Sequence, residues 1–141
     1  MEQQAIFAPM LGMFVLTFVV WVYMFVKRIP FITENELGPE DFRSTRFAEL
    51  QPPAVANPSD NLKNLFEMPV LFYAMCLFLY ATEQVDSVYL GAAWMFLVLR
   101  TAHSAVHCTI NVVILRFWIY AAASAALWFM IFRATLNLMT G

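Results

Sequence analysis

Arg100, His103 and His107 stand at i, i+3 and i+7, the spacing that puts three side chains on one face of a helix. Phe96 lies one turn behind them. The guanidinium is a permanent cation and a fork of donors suited to carboxylate or phosphate. The imidazoles can give or take a proton near neutral pH. Ahead of them runs Trp94-Met95-Phe96-Leu97-Val98-Leu99, as oily as a lipid-buried helix. A cation in such a run is costly in hydrocarbon, so this face is expected to meet protein or water rather than acyl chains.

Four further residues belong to the same question: Lys63, Asn64, Glu67 and Arg116. Asn64-Leu65-Phe66-Glu67 reads as a capping box or as a pair of site residues. Against the cap, Leu62 already begins an apolar run, and Pro69 would fall beyond the first turn. Glu67 is the obvious acid for a buried Arg100, so an ion pair between them is expected. Arg116 opens the last apolar run, where a lone arginine ordinarily snorkels to the interface. Two imidazoles one turn apart could hold a metal with Glu67 as third ligand. However, Ser104 stands where the zinc-peptidase motif requires glutamate, and no metal is expected. There is no Gly-rich phosphate loop, Ser/His/Asp set or catalytic carboxylate pair.

The elements that must position these groups are membrane helices. Hydrophobic residues make up 62% of the 141-residue chain and charged residues only 13%, about half the soluble norm of roughly 25%. A soluble domain of this length could not hide so many large apolar side chains. The net charge of −2 and the lack of a basic block argue against nucleic-acid binding. Cys76 and Cys108 have no paired spacing and read as inert buried thiols.

Four spans are expected, at about residues 6–28, 62–81, 87–107 and 115–136, forming one all-α membrane domain. The first is long enough to cross a core of roughly 30 Å. Its positive charges, Lys27-Arg28, follow the apolar run, which is the reverse of a cleaved signal peptide. Residues 29–61 form a polar, proline-punctuated loop. Pro52 to Pro58 reads as extended chain, and Glu40 to Leu50 as a short amphipathic turn on the membrane surface. Ser59, Asp60 or Asn61 would cap the second span. Small residues from Ala121 to Ala126 let the fourth span approach a neighbour closely.

Lys and Arg gather in the first loop and around the third, and the second loop has neither. The positive-inside rule then puts those loops in the cytoplasm and both termini outside. Arg133 falls toward the outer end, where it can snorkel. Asn64, Glu67, Arg100, His103, His107 and Arg116 come to similar depth near the cytoplasmic face. The compact length and short tails suggest a bacterial inner membrane.

Asn64-x-x-Glu67 followed by Pro69, Ala93-Trp94-Met95 leading to Arg100-x-x-His103, and Arg116 sixteen residues later resemble the MAPEG family. These are the membrane-associated proteins of eicosanoid and glutathione metabolism. The resemblance implies a four-helix protomer assembling as a homotrimer, with glutathione bound between subunits near the cytoplasmic face. Residues matching Asn64, Glu67, Arg100 and His103 would hold the tripeptide, with Lys63 and His107 beside them. The arginine matching Arg116 would be catalytic, favouring thiolate over a thiol whose pKa starts near ~8.5. A lipophilic electrophile would enter from the bilayer.

The chain also departs from the family pattern. Asp60 stands where many members have arginine, and His107 where tyrosine is common; the third loop lacks the usual proline-containing link. Two functions therefore compete: a glutathione transferase or peroxidase, and a non-catalytic scaffold or accessory subunit. A lipid-binding trimer is a third reading.

Overall fold

A 3-10 turn over Gln3–Ile6 leads into α1, Phe7–Glu34, the longest apolar helix of the N-terminal half. After a second 3-10 turn, Pro39–Phe42, come α2 (Ser44–Leu50), α3 (Pro53–Asn64), α4 (Met68–Ala81), α5 (Ser87–Cys108) and α6 (Val113–Thr140). This computed structural model describes residues 2–140, with Ser44 described for its backbone alone, and contains no strand among them.

Three helical stretches are long and apolar enough to cross a membrane: Gln3–Glu34, Pro53–Ala81 and Val113–Thr140. Helix α5 has 22 residues but falls below the same apolarity, because its second half carries Arg100, Thr101, His103, Ser104 and His107. It is the helix the others shield, packing most extensively on α6 and also on α1 and α3. Bulky apolar side chains such as Phe18, Trp21, Trp118 and Phe132 stand exposed around the outside. Such a surface suits lipid and not water. The chain is a multi-pass membrane protein.

The core lies where α1, α4, α5 and α6 meet. Phe72 of α4 stacks on Phe96 of α5 with ring centroids 4.4 Å apart, and both are fully buried. Ala92 and Ala93 of α5 and Ala123, Ala126 and Ala134 of α6 are buried, and these two helices pack on each other more extensively than any other pair. Gly12 marks the close approach of α1 to α5, since a β-carbon there would lie 2.5 Å from Leu97 Cδ2.

The proline-rich segment is helical, where extended chain was expected. Pro53 occupies the first turn of α3, where a missing N–H costs nothing. Pro58 lies inside the helix, and Ala54, the residue whose carbonyl it leaves free, is exposed. Ser59, Asp60 and Asn61 are therefore interior residues and not caps. Ser59 accepts a hydrogen bond from Arg28 Nη2 at 2.6 Å, which ties α1 to α3. The Glu40 to Leu50 stretch divides into the second 3-10 turn and α2, with the Phe42 and Phe47 rings packed 5.2 Å apart.

Helices α1 and α4 end the same way without glycine. Glu36 (φ 49°) and Glu83 (φ 55°) take the left-handed conformation. Leu37 N–H then bonds back to Ile32, and Gln84 N–H to Leu79, closing each helix in a Schellman turn. At the α4–α5 turn, Asp86 accepts from Val88 N–H and Tyr89 N–H and so caps α5. Arg133 does not snorkel. It grips the same carboxylate with both terminal nitrogens, at 2.9 and 2.6 Å, and lies over the Tyr89 ring.

Candidate functional site

The site begins with a break in a helix. Had α3 continued into α4, Pro69 would have fallen in the interior, without a donor for Leu65 and clashing with its carbonyl. The chain instead leaves helix after Asn64 and restarts at Met68, which puts Pro69 in the first turn of α4. The break releases the Asn64 carbonyl from the helical ladder. Arg100 Nη2 donates to it at 2.8 Å.

Breaking there also removes Glu67 from the face expected of it. Glu67 caps α4 by position only, is exposed, and makes no ion pair with Arg100. Asn64 ends a helix and does not begin one, and its side chain donates back to the Asp60 carbonyl at 3.1 Å. The expected Glu67–Arg100 pair and the capping box are both replaced by one contact from guanidinium to main chain.

Arg100 is nonetheless fully buried. Its Nε and Nη1 have no hydrogen-bond partner among the described residues, and its Cζ lies 5.4 Å from the centre of the Tyr120 ring on α6. His103 is also buried. Its Nδ1 is 3.1 Å from the Arg116 carbonyl, which can only accept, so Nδ1 carries the proton and Nε2 keeps the lone pair. That Nε2, and the Nδ1 of buried His107, have no partner among the described residues. The two imidazoles meet edge to face, 5.6 Å apart.

Arg116 opens the site to the surface. Its Nη1 donates to Asn111 Oδ1 at 2.7 Å, and Asn111 Nδ2 donates in turn to Asn57 Oδ1 at 3.0 Å. Asn111 takes φ 45°, a left-handed conformation asparagine tolerates better than most residues. Arg116, Asn64, His103, Val113, Phe117 and Tyr120 line one cleft of about 210 Å³. Arg100 lies behind Asn64 and Tyr120. Among the described residues, neither Arg100 nor Arg116 has a carboxylate within ion-pair distance. Lys63 is on the exposed side of α3, paired with Asp60 at 2.9 Å and away from the cleft lining.

Five polar residues that the spacing argument overlooked complete the arrangement. Asn61, fully buried, accepts from Ser104 at 3.3 Å and donates to Cys108 Sγ at 3.5 Å. Ser104 and Tyr120 each stand one turn after an arginine already singled out, so helical spacing could have found them. Asn57 and Asn111 carry no such signal, because they meet only when α3 and the α5–α6 turn pack together.

Arg116 and His103 line the cleft and buried Arg100 does not; both guanidiniums lack a carboxylate partner among the described residues, which leaves their charge open to an anion. No curated protein and no solved structure matches the chain significantly. The sequence pattern of the MAPEG family, by contrast, matches residues 6–136, which takes in every residue that lines the cleft. The chain belongs to the MAPEG family.

Proposed function

We propose that the protein is a glutathione-dependent transferase or peroxidase acting on lipophilic electrophiles, built as a four-span protomer in a homotrimer. One observation carries this reading: Arg100, fully buried, has two side-chain nitrogens without a hydrogen-bond partner and no carboxylate within ion-pair distance among the described residues. A buried charge without a partner is strongly destabilising, so the fold is designed for an anion that arrives from outside the protomer. Glutathione brings two carboxylates for the arginines and an ammonium for Glu67, exposed nearby. Asp60, the departure that would repel such a ligand, is already neutralised by Lys63.

In this reading Asn64, Glu67, Arg100 and His103 hold the tripeptide, with His107 and Lys63 beside them, and Arg116 acts on the sulfur. A guanidinium beside the thiol favours loss of its proton to solvent. The thiolate then attacks the electrophilic carbon, an S–C bond forms, and the leaving group departs with its bonding pair. Val113 and Phe117 give the cleft an apolar side for a substrate from the bilayer.

A second reading draws on the same contacts. His103 to the Arg116 carbonyl, Asn111 to Asn57 and Ser104 to Asn61 are all ties between elements. A scaffold or accessory subunit would need them as much as an enzyme. Millimolar glutathione separates the two. The transferase reading requires a rise in thermal midpoint, more in Asp60→Arg than in wild type, and a thiolate absorbance that Arg116→Ala removes without dissolving the trimer. No rise in either protein would favour the scaffold.

A further inference from the structure

Away from the cleft, α1 and α5 leave an apolar groove between them on the outer face. One segment, of about 570 Å³, is lined by Gly12, Val15, Leu16 and Val19 of α1 and by Leu97 and Thr101 of α5. A second, of about 270 Å³, shares Leu16, Val19 and Thr101 and continues to Tyr23 and Cys108. The shared residues make one continuous channel. Thr101 contributes no free polar group, since its hydroxyl donates to the Leu97 carbonyl at 2.9 Å.

The groove has a length and a polarity. From Gly12 to Tyr23 the helix rises about 16 Å, at ~1.5 Å per residue. That is close to half of a hydrocarbon core of roughly 30 Å, the depth of one leaflet. At its end Tyr23 sits where interfacial tyrosines belong, and Lys27 Nζ lies 5.5 Å from the centre of its ring. Lys27 makes no ion pair among the described residues. An apolar slot one leaflet deep thus ends at an uncompensated cation at headgroup level.

We propose that this groove is a binding site for an anionic phospholipid, with one acyl chain between α1 and α5 and the headgroup phosphate on Lys27. The site is separate from the cleft at Arg116 and stands whether or not glutathione binds. Chain length and charge are matched at once, which an acyl chain of a neutral lipid would not require. A second copy seated in the groove is the competing occupant, and cross-linking from Thr101 tests it.

The test uses the full-length protein in detergent, supplemented with phosphatidylglycerol or phosphatidylcholine of identical chains. Phosphatidylglycerol should raise the thermal midpoint by about 3 °C more than phosphatidylcholine. Lys27→Gln should abolish that difference while keeping the shift common to both lipids. Thr101→Trp, which plugs the groove, should remove both shifts. Equal shifts in wild type, or a preference for phosphatidylglycerol that survives Lys27→Gln, would overturn the assignment. So would efficient photo-cross-linking of two copies by a benzophenone attached to Thr101→Cys in a Cys108→Ser background, since a protein neighbour would then fill the groove. Lys27→Gln removes the charge at a half-buried position outside the core, so the headgroup half stays testable even if Thr101→Trp fails to fold.

Discussion

Arg100 Nη2 rests 2.8 Å from the main-chain carbonyl of Asn64, which the helix break leaves with a long 3.5 Å bond from Glu67 N–H in place of its helical partner. A side chain 36 residues away thus takes the place of a lost helical hydrogen bond.

Arg100→Met should leave the ligand-free protein within a few degrees of wild type. Removing a buried cation that lacks an acid partner is favourable, and it offsets the ~1–3 kcal/mol cost of leaving the Asn64 carbonyl with only its 3.5 Å bond from Glu67 N–H. The same variant should lose any midpoint rise with glutathione. Thermal unfolding with and without the tripeptide measures both, and a collapse of the ligand-free protein would show that Arg100 is purely structural.

Pro69→Ala permits α3 and α4 to fuse, which would return the Asn64 carbonyl to the helical ladder through Met68 N–H. Loss of a compatible proline costs about 0.4–1 kcal/mol. Amide hydrogen exchange should slow at Met68, and glutathione should stabilise the variant less. Unchanged exchange at Met68 would mean that something other than Pro69 holds the break.

Asp86 answers to pH. The Arg133 side chain hydrogen-bonded to it, reinforced by Tyr89 and Val88 N–H groups, holds its carboxyl at about 2 against burial that works the other way. A depressed folded pKa means stability that is complete above the ordinary value of about 3.9 and is lost as pH falls toward about 2. The midpoint should therefore be insensitive to this group down to about pH 5 and fall in more acid solution. Asp86→Asn keeps a cap for α5 but loses the charge, so its acid limb should be shallower. Identical acid limbs would assign the loss to other carboxylates.

Glu83→Gly should stabilise. A non-glycine residue in the left-handed region costs roughly 1–2 kcal/mol, partly offset by glycine's greater freedom when unfolded. A net gain of about 0.5–1 kcal/mol is expected, seen as a higher thermal midpoint. Any loss would mean that the Glu83 side chain contributes more than its backbone strain costs.

Local pattern and composition settled what is local. The oily runs, the scarcity of charge and the Arg100, His103 and His107 spacing were enough to read membrane helices with one polar face turned inward. The MAPEG likeness was legible too, because its motifs lie within single segments. Helical periodicity acts over three or four residues, so any short stretch declares it.

Tertiary structure decided the pairings. Prolines 52 to 58 argued for extended chain, yet only Pro52 is extended, and from Pro53 through Pro58 the chain is helix, packed against α1. Glu67 matched Arg100 in charge and depth, but the three-residue interruption before Met68 turned it outward and handed its role to a carbonyl. Arg133 found Asp86 across 47 residues instead of the lipid interface. Each partner was fixed by where a neighbouring helix ends, and the ends depend on contacts distant in the chain, which no residue spacing encodes.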